Sequence, residues 1–307
     1  MEHEYTQKLT PLMALRLAAP HTWPPASVAP MILGVLLALD FTGEFSLPLF
    51  VVLLLIVVLM QSAVNTLNDY YDFVKGADRL ENSDDPTDAI LVYNHINPRH
   101  VLALAFAFLG FAAILGIYVV YAGGVVPLIA GVIGALVIVA YSAGKSPISY
   151  LPFGELASGL VMGGLIPFAV FAAFTRIAEP AVILYSLPCI LGVGLVMMTN
   201  NLCDIERDIE AGRKTLPVLL GRVKARMLYR ALFIALLLCL PVIASIRFST
   251  VGAAMLPALI LGANTFRKLL SRKFTPDERG ACMQGIVLSA ALADFAYFSV
   301  LVADILL

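Results

Sequence analysis

Charged side chains are scarce in this sequence: Asp, Glu, Lys and Arg make up 13% of 307 residues, against 60% hydrophobic. That balance excludes a soluble domain clothed in a polar shell. Cysteine is equally sparse. Cys189, Cys203, Cys239 and Cys282 show no C-x-x-C spacing, and three of them sit in or beside apolar runs, so they read as reduced packing residues. His3, His21, His95 and His100 form no pair at helical spacing, which argues against zinc. A cleavable leader is not expected either, because the opening MEHEYTQKLT mixes both charge signs and lacks a basic segment followed by an apolar core. No nucleic-acid partner is expected.

Long apolar runs are abundant, and a mean hydropathy of +0.91 makes lipid the solvent for most of the chain. A helix needs about 20 apolar residues to cross the hydrocarbon core, and a bilayer obliges every backbone group to find its partner internally. The reading is an all-α polytopic membrane protein with about nine spans. They fall near 25–39, 47–66, 100–121, 125–143, 156–175, 181–198, 229–246, 250–265 and 283–306. The whole chain, 1–307, is expected to form one domain. Of 20 Lys and Arg, only Arg176 and Arg247 fall in the odd-numbered connections. Since basic residues accumulate on the cytoplasmic side, the N-terminus and the even-numbered loops are predicted to be cytoplasmic, in the cell membrane. Those loops also carry most of the Asp.

Two of these loops begin with the same pattern. The second span ends in Asn65-Thr66-Leu67-Asn68-Asp69, followed by Asp72 and Gly76; the sixth ends in Asn200-Asn201-Leu202-Cys203-Asp204, followed by Asp208 and Gly212. On a helix Asn65, Asp69 and Asp72 share a face, Asn68 lies one turn before Asp72, and Asp204 lies one turn before Asp208. Carboxylates so placed repel one another, and their position at a membrane boundary adds a desolvation penalty that a divalent cation would relieve. Hard oxygen donors, few in number, suit Mg²⁺, which keeps waters and completes its shell with substrate phosphates. The implied ligand is a diphosphate. Lys75, Lys145, Arg213 and Lys214 are the cations expected beside it, Lys145 standing four residues after Tyr141.

With these motifs the chain resembles the UbiA superfamily of intramembrane prenyltransferases, and most of all its 1,4-dihydroxy-2-naphthoate prenyltransferase (MenA-like) branch. The resemblance runs through PHTWPPASVAPMILG at 20–34, NTLNDYYDFVKGAD at 65–78, YSAGKSPISYLPFGEL at 141–156 and NNLCDIERDIEAGRKTLPVLLG at 200–221. It implies a UbiA-type helical bundle, open sideways to lipid and capped by cytoplasmic loops. It further implies transfer of a prenyl group from a prenyl diphosphate to a small aromatic quinone precursor, for menaquinone biosynthesis, with Mg²⁺ as cofactor. By the same resemblance Asn68, Asp72, Asp78, Asp204 and Asp208 are metal ligands, joined by Asn65 and Asp69. Tyr141 and Lys145 match a Y-x-x-x-K element at the diphosphate and, with Asp72 and Asp208, form the expected catalytic set; Asn200 and Asn201 are expected at the acceptor. The chain departs from the branch at Ala19, where an Arg is usual and Arg16 is the nearest basic residue. It departs again in the acidic loop after Asp78 and at Gly144-Lys145, where the branch has Gly-Pro.

A CDP-alcohol phosphotransferase would also hold metal on membrane Asp residues, but its long DG…AR…G…D…D run is absent and the acids here divide between distant segments. An inverted-repeat transporter would place its acids near the midplane in oppositely oriented copies. Both copies here lie on one face, which favours the enzyme.

Overall fold

The computed structural model describes residues 7–77, 90–247 and 252–307. Among these the chain is helical, with one isolated bridge between Gln7 and Ile96 and no strand. The helices are α1 (Pro11–Leu17), α2 (Pro24–Thr42), α3 (Leu47–Val74), α4 (Ile90–Asn94), α5 (Pro98–Gly123), α6 (Val125–Ser142) and α7 (Gly154–Thr175). They continue with α8 (Ala181–Tyr185), α9 (Leu187–Cys203), α10 (Ile205–Glu210), α11 (Leu216–Arg247), α12 (Leu256–Ser271) and α13 (Arg279–Leu306). Their starts follow local chemistry: Ser46 and Asn97 accept from the amides of Leu49 and Arg99, and each is followed by a Pro in the first turn, where its missing N–H is harmless.

Seven helices, namely α2, α3, α5, α6, α7, α11 and α13, are long and apolar enough to cross a membrane. Ile117, Leu136, Ile260 and Leu261 are more than half exposed on the outer surface, an arrangement suited to lipid and a liability in water. Two of the about nine expected spans are not among these seven. The run 181–198 is interrupted at Ser186, which leaves α9 with 17 residues, continuing past the apolar run to Cys203. The run 250–265 begins outside the described residues, and α12 contributes 16 residues there. Both are shorter than the roughly 20 residues a perpendicular crossing needs.

One long crossing positions the site. α3 has 28 residues, about 42 Å at 1.5 Å per residue, against a hydrocarbon core of about 30 Å. Its last turns, with Asn68, Asp69 and Asp72, therefore extend past the apolar layer. α3 packs along α5, α2 along α7, and α9 lies between α7, α11 and α13. Tyr229 and Phe233 of α11, Phe274 and Tyr297 are fully buried in this half of the bundle. Thr199 of α9 donates to the Tyr229 hydroxyl at 3.0 Å, which fixes the end of α9 that carries the second motif. A π-helical turn at Gly159–Leu165 brings α7 onto α9 so closely that a Cβ on Gly159 or Gly163 would lie 2.6 or 2.5 Å from Ile190 backbone atoms. Only glycine fits there.

Candidate functional site

The two motif copies end in the same backbone turn. In the first, the Ala77 amide donates to the Asp72 carbonyl at 2.9 Å and the Gly76 amide to Phe73 at 3.1 Å; in the second, Arg213 donates to Asp208 at 2.8 Å and Gly212 to Ile209 at 3.1 Å. Gly76 and Gly212 both have φ 71°. This is the double hydrogen bond that closes a helix through a left-handed residue, which is why each copy carries a Gly four residues after its second Asp. The copies differ by one residue between their acids. In α3 that stretch is continuous helix, whereas α9 stops at Cys203 and Asp204 leaves helical geometry at φ −102°, ψ 17°. The expectation that Asp204 and Asp208 share one unbroken helix is thus corrected, although the Asp208 amide still donates to the Asp204 carbonyl at 2.8 Å.

Both copies face one polar cavity of about 320 Å³, lined by Asn65, Asn68, Asp69, Asp72, Tyr141, Asn200, Asn201, Asp204, Asp208 and Arg213. Arg213 joins the copies: it pairs with Asp72 and lies 3.7 Å from Asp208. Asn68 donates to the other Asp72 oxygen at 2.9 Å, and Thr215 donates to Asp208 at 2.9 Å. Burial pushes the Asp208 carboxyl up to about 6, with Arg213 and Thr215 opposing and the neighbouring acids adding to it. Burial alone would weaken the Arg213 charge, but Asp72 and Asp208 outweigh it and hold the guanidinium above its ordinary value.

The aromatic ring of Tyr150 is shared by two cations, with Lys75 Nζ 4.7 Å and Arg213 Cζ 4.9 Å from its centroid. Lys75 also donates to the Ser142 carbonyl at 2.8 Å. Burial lowers the Lys75 pKa, Asp72 opposes this and Arg213 reinforces it. Asn65 is engaged by the scaffold: its amide nitrogen donates to the Ala18 carbonyl at 3.0 Å and to Thr22 at 2.9 Å, holding the N-terminal segment against α3.

Of the four expected cations only Arg213 lines the cavity: Lys75 stands at its edge against Tyr150, and the other two are exposed. Lys145 is exposed and does not line the cavity, because α6 ends at Ser142, Ala143 is extended and Gly144 turns at φ 89°. The four-residue spacing from Tyr141 would align the two side chains only on a continuing helix. Lys214 is exposed as well, its backbone amide bound to the Tyr150 carbonyl at 2.8 Å. Asp78 lies outside the described residues. The cavity includes Arg16, the basic residue nearest the departure at Ala19, and also Arg207 and Arg279, which the motifs do not single out as ligand contacts. Arg279, at the start of α13, donates to Asp204 at 3.2 Å and to Asn200 at 2.8 Å. Its only signal in the sequence is a basic residue in an even-numbered loop.

Among the described residues no three His, Cys, Asp or Glu converge as a preformed metal cage. The donor set nevertheless fits Mg²⁺: it is all carboxylate and amide oxygen, it comes from two walls of one cavity, and Mg²⁺ ordinarily takes few protein ligands and completes its shell from phosphate and water. Beneath the polar cavity lies an apolar cleft of about 260 Å³ between α3, α5, α6 and α7, and Gln61, Val64, Ile138, Val161 and Met162 line both.

Comparison with known proteins adds an independent line. The profile of the UbiA prenyltransferase family matches residues 27–289. The chain is 36% identical over 218 residues to a 1,4-dihydroxy-2-naphthoate octaprenyltransferase of Bacillus subtilis (strain 168), covering 71% of this chain and 69% of that protein. It is 31% identical over 254 residues to UbiA prenyltransferase domain-containing protein 1 of Xenopus tropicalis, covering 81% and 71%. The fold is shared with a UbiA homolog from Archaeoglobus fulgidus bound to DMAPP and Mg²⁺, at a TM-score of 0.62 and 19% identity, over 94% of this chain and 99% of that one.

Proposed function

Since the chain belongs to the UbiA prenyltransferase family and is a multi-pass membrane prenyltransferase, we propose that it transfers a prenyl group from a prenyl diphosphate to an aromatic quinone precursor. The acceptor we put first is 1,4-dihydroxy-2-naphthoate, the substrate named for the Bacillus subtilis relative. The observation that carries this reading is the junction of the two chambers. A polar cavity with acids and arginines on its walls opens through five shared residues into an apolar cleft, which matches a ligand with a multiply charged head and a hydrocarbon tail.

In the proposed reaction the allylic C–O bond of the donor breaks, diphosphate leaves with the electron pair, the ring carbon of the acceptor bonds the allylic carbon, and the ring loses a proton. Asp69, Asp72, Asp204 and Asp208 with Asn68 and, by the resemblance, Asp78 would hold Mg²⁺, which when bound would supply Lewis-acid neutralisation of the leaving diphosphate. Arg213, Arg207, Arg279 and Lys75 add positive charge around that head, where each well-placed donor can contribute roughly 3 kcal/mol. Tyr141, oriented by its hydroxyl bond to the Met197 sulfur at 3.4 Å, presents a π face to the allylic cation, an effect of about 0.5–2 kcal/mol. Val137, Ile138, Val161 and Met162 keep water from the cation. Asn200 and Asn201 meet the acceptor. The site lies on the cytoplasmic side of a bundle in which α9 and α12 complete about nine crossings.

The test is incubation of the purified protein in nanodiscs with Mg²⁺, prenyl diphosphates and a panel of dihydroxynaphthoate, hydroxybenzoate and lipid-alcohol acceptors, followed by mass spectrometry. Asp72→Ala and Asp208→Ala are each expected to lower turnover by about 100-fold or more. Wild-type turnover surviving in both variants would sink the mechanism. Ion flux into liposomes dependent on the same acids would point to transport instead.

A further inference from the structure

Glu155 has no part in holding the donor, yet it is a carboxylate in the first turn of a membrane-crossing helix, only 7% exposed. Groups of this kind are rare inside membranes and are retained for a function. Its Oε1 accepts from Asn201 Nδ2 at 2.9 Å, and its Oε2 is buried with no partner among the described residues. As a strut between α7 and α9 the pair would be redundant, because the glycine contacts at Ile190 already press these helices together, and a buried charge is a poor way to gain stability.

What the charge does achieve is orientation. An ionised carboxylate can only accept hydrogen bonds, whereas an amide offers a donor end and an acceptor end. Facing Glu155, Asn201 must turn its NH₂ group inward and its Oδ1 away. Asn201 lines the cavity and has no other side-chain hydrogen bond among the described residues, so this wall presents a hydrogen-bond acceptor whose polarity is set from behind.

We propose that Glu155 is a positioning residue that locks the Asn201 amide so that Oδ1 accepts a hydrogen bond from a free hydroxyl of the acceptor substrate, making the site selective for a hydroxylated ring over its ether. The proposal rests on the aromatic-acceptor reading above and adds to it which substituent is recognised and how. A glutamine at this position can turn its own NH₂ toward Asn201, which then flips and offers NH₂ to the cavity; an ether oxygen accepts from that group, and a hydroxyl no longer has a unique advantage.

The experiment uses full-length wild type, Glu155→Gln and Asn201→Ala in nanodiscs with Mg²⁺ and geranyl diphosphate. The probes are 1,4-dihydroxy-2-naphthoate and each of its two monomethyl ethers, compared as substrates and as competitors. For wild type, one ether is expected to bind at least about tenfold more weakly than the parent compound, as when a built polar contact goes unmade. In both variants that ratio is expected to shrink to within about threefold, while the KM for geranyl diphosphate stays within about twofold, which also reports that the cavity is folded. An unchanged hydroxyl-to-ether ratio in Glu155→Gln, with donor KM intact, overturns the role of Glu155 and leaves the prenyltransferase reading standing. A wild type that binds the donor but prenylates no dihydroxynaphthoate compound overturns the acceptor reading and this inference together.

Discussion

Lys75 and Lys145 divide at the residue scale what four-residue spacing alone would assign to one of them. Lys75 is held between Tyr71 and Tyr150 beside the cavity acids, while Lys145 is exposed beyond the end of α6. Lys75→Ala is therefore expected to lower kcat/KM by about tenfold or more, and Lys145→Ala to stay within about twofold, as for a solvated surface charge; steady-state kinetics on both variants checks the pair. A second prediction concerns pH. Burial holds the Asp208 carboxyl at about 6, so between the ordinary value of 3.8 and that point the folded metal-free protein retains a proton the unfolded chain has released. Its stability from this group accordingly falls as pH rises through that window, and Mg²⁺, which needs the carboxylate, binds more tightly over the same rise. Calorimetric titration is expected to give about fourfold weaker Mg²⁺ binding near pH 5.5 than near pH 7.5, with Asp208→Asn removing this component. The Asp and Asn positions were legible in the sequence because acids are so few in an apolar chain. Arg279 and Glu155 were not, because each acts through a contact made 46 residues or more away along the chain.

At the scale of elements, the repeat is legible down to its terminal glycine, since a left-handed closing residue leaves a mark in sequence. Its single-residue difference is legible too, but the consequence is not: whether four-residue spacing continues a helix or breaks it at Asp204 depends on how α9 is held by α7 and α11. The π turn in α7 is likewise a response to packing, with Gly159 and Gly163 as its only trace. A side chain at Gly163 would meet the Ile190 backbone at 2.5 Å, whereas Gly110 has nothing within 4 Å of its Cβ position. Gly163→Val is expected to destabilise the protein by about 1–3 kcal/mol or more, seen as a lower unfolding midpoint in detergent. Gly110→Val, at an exposed position of α5 with free space around it, should leave that midpoint nearly unchanged.

For the whole molecule, the apolar runs make the membrane bundle readable, and the excess of basic residues in alternate loops gives a predicted orientation. The joining of two chambers is a property of the assembled helices and has no sequence signature. Gly131 lines the apolar cleft with open space at its Cβ position, so Gly131→Phe is expected to obstruct the tail without touching the acids. The kcat/KM for a geranylgeranyl donor should drop by about tenfold or more and that for dimethylallyl diphosphate by less than about threefold; equal losses would place the tail elsewhere. Finally, Arg213 sits in the second half of the repeat but neutralises Asp72 in the first. One guanidinium thus serves as common counter-ion to carboxylates 136 positions apart, and the two halves are not electrically separable. In the metal-free protein the acid pair thus has its counter-ion in place, and in the proposed reaction arrival of a metal-diphosphate head would amount to an exchange of partners at both walls at once.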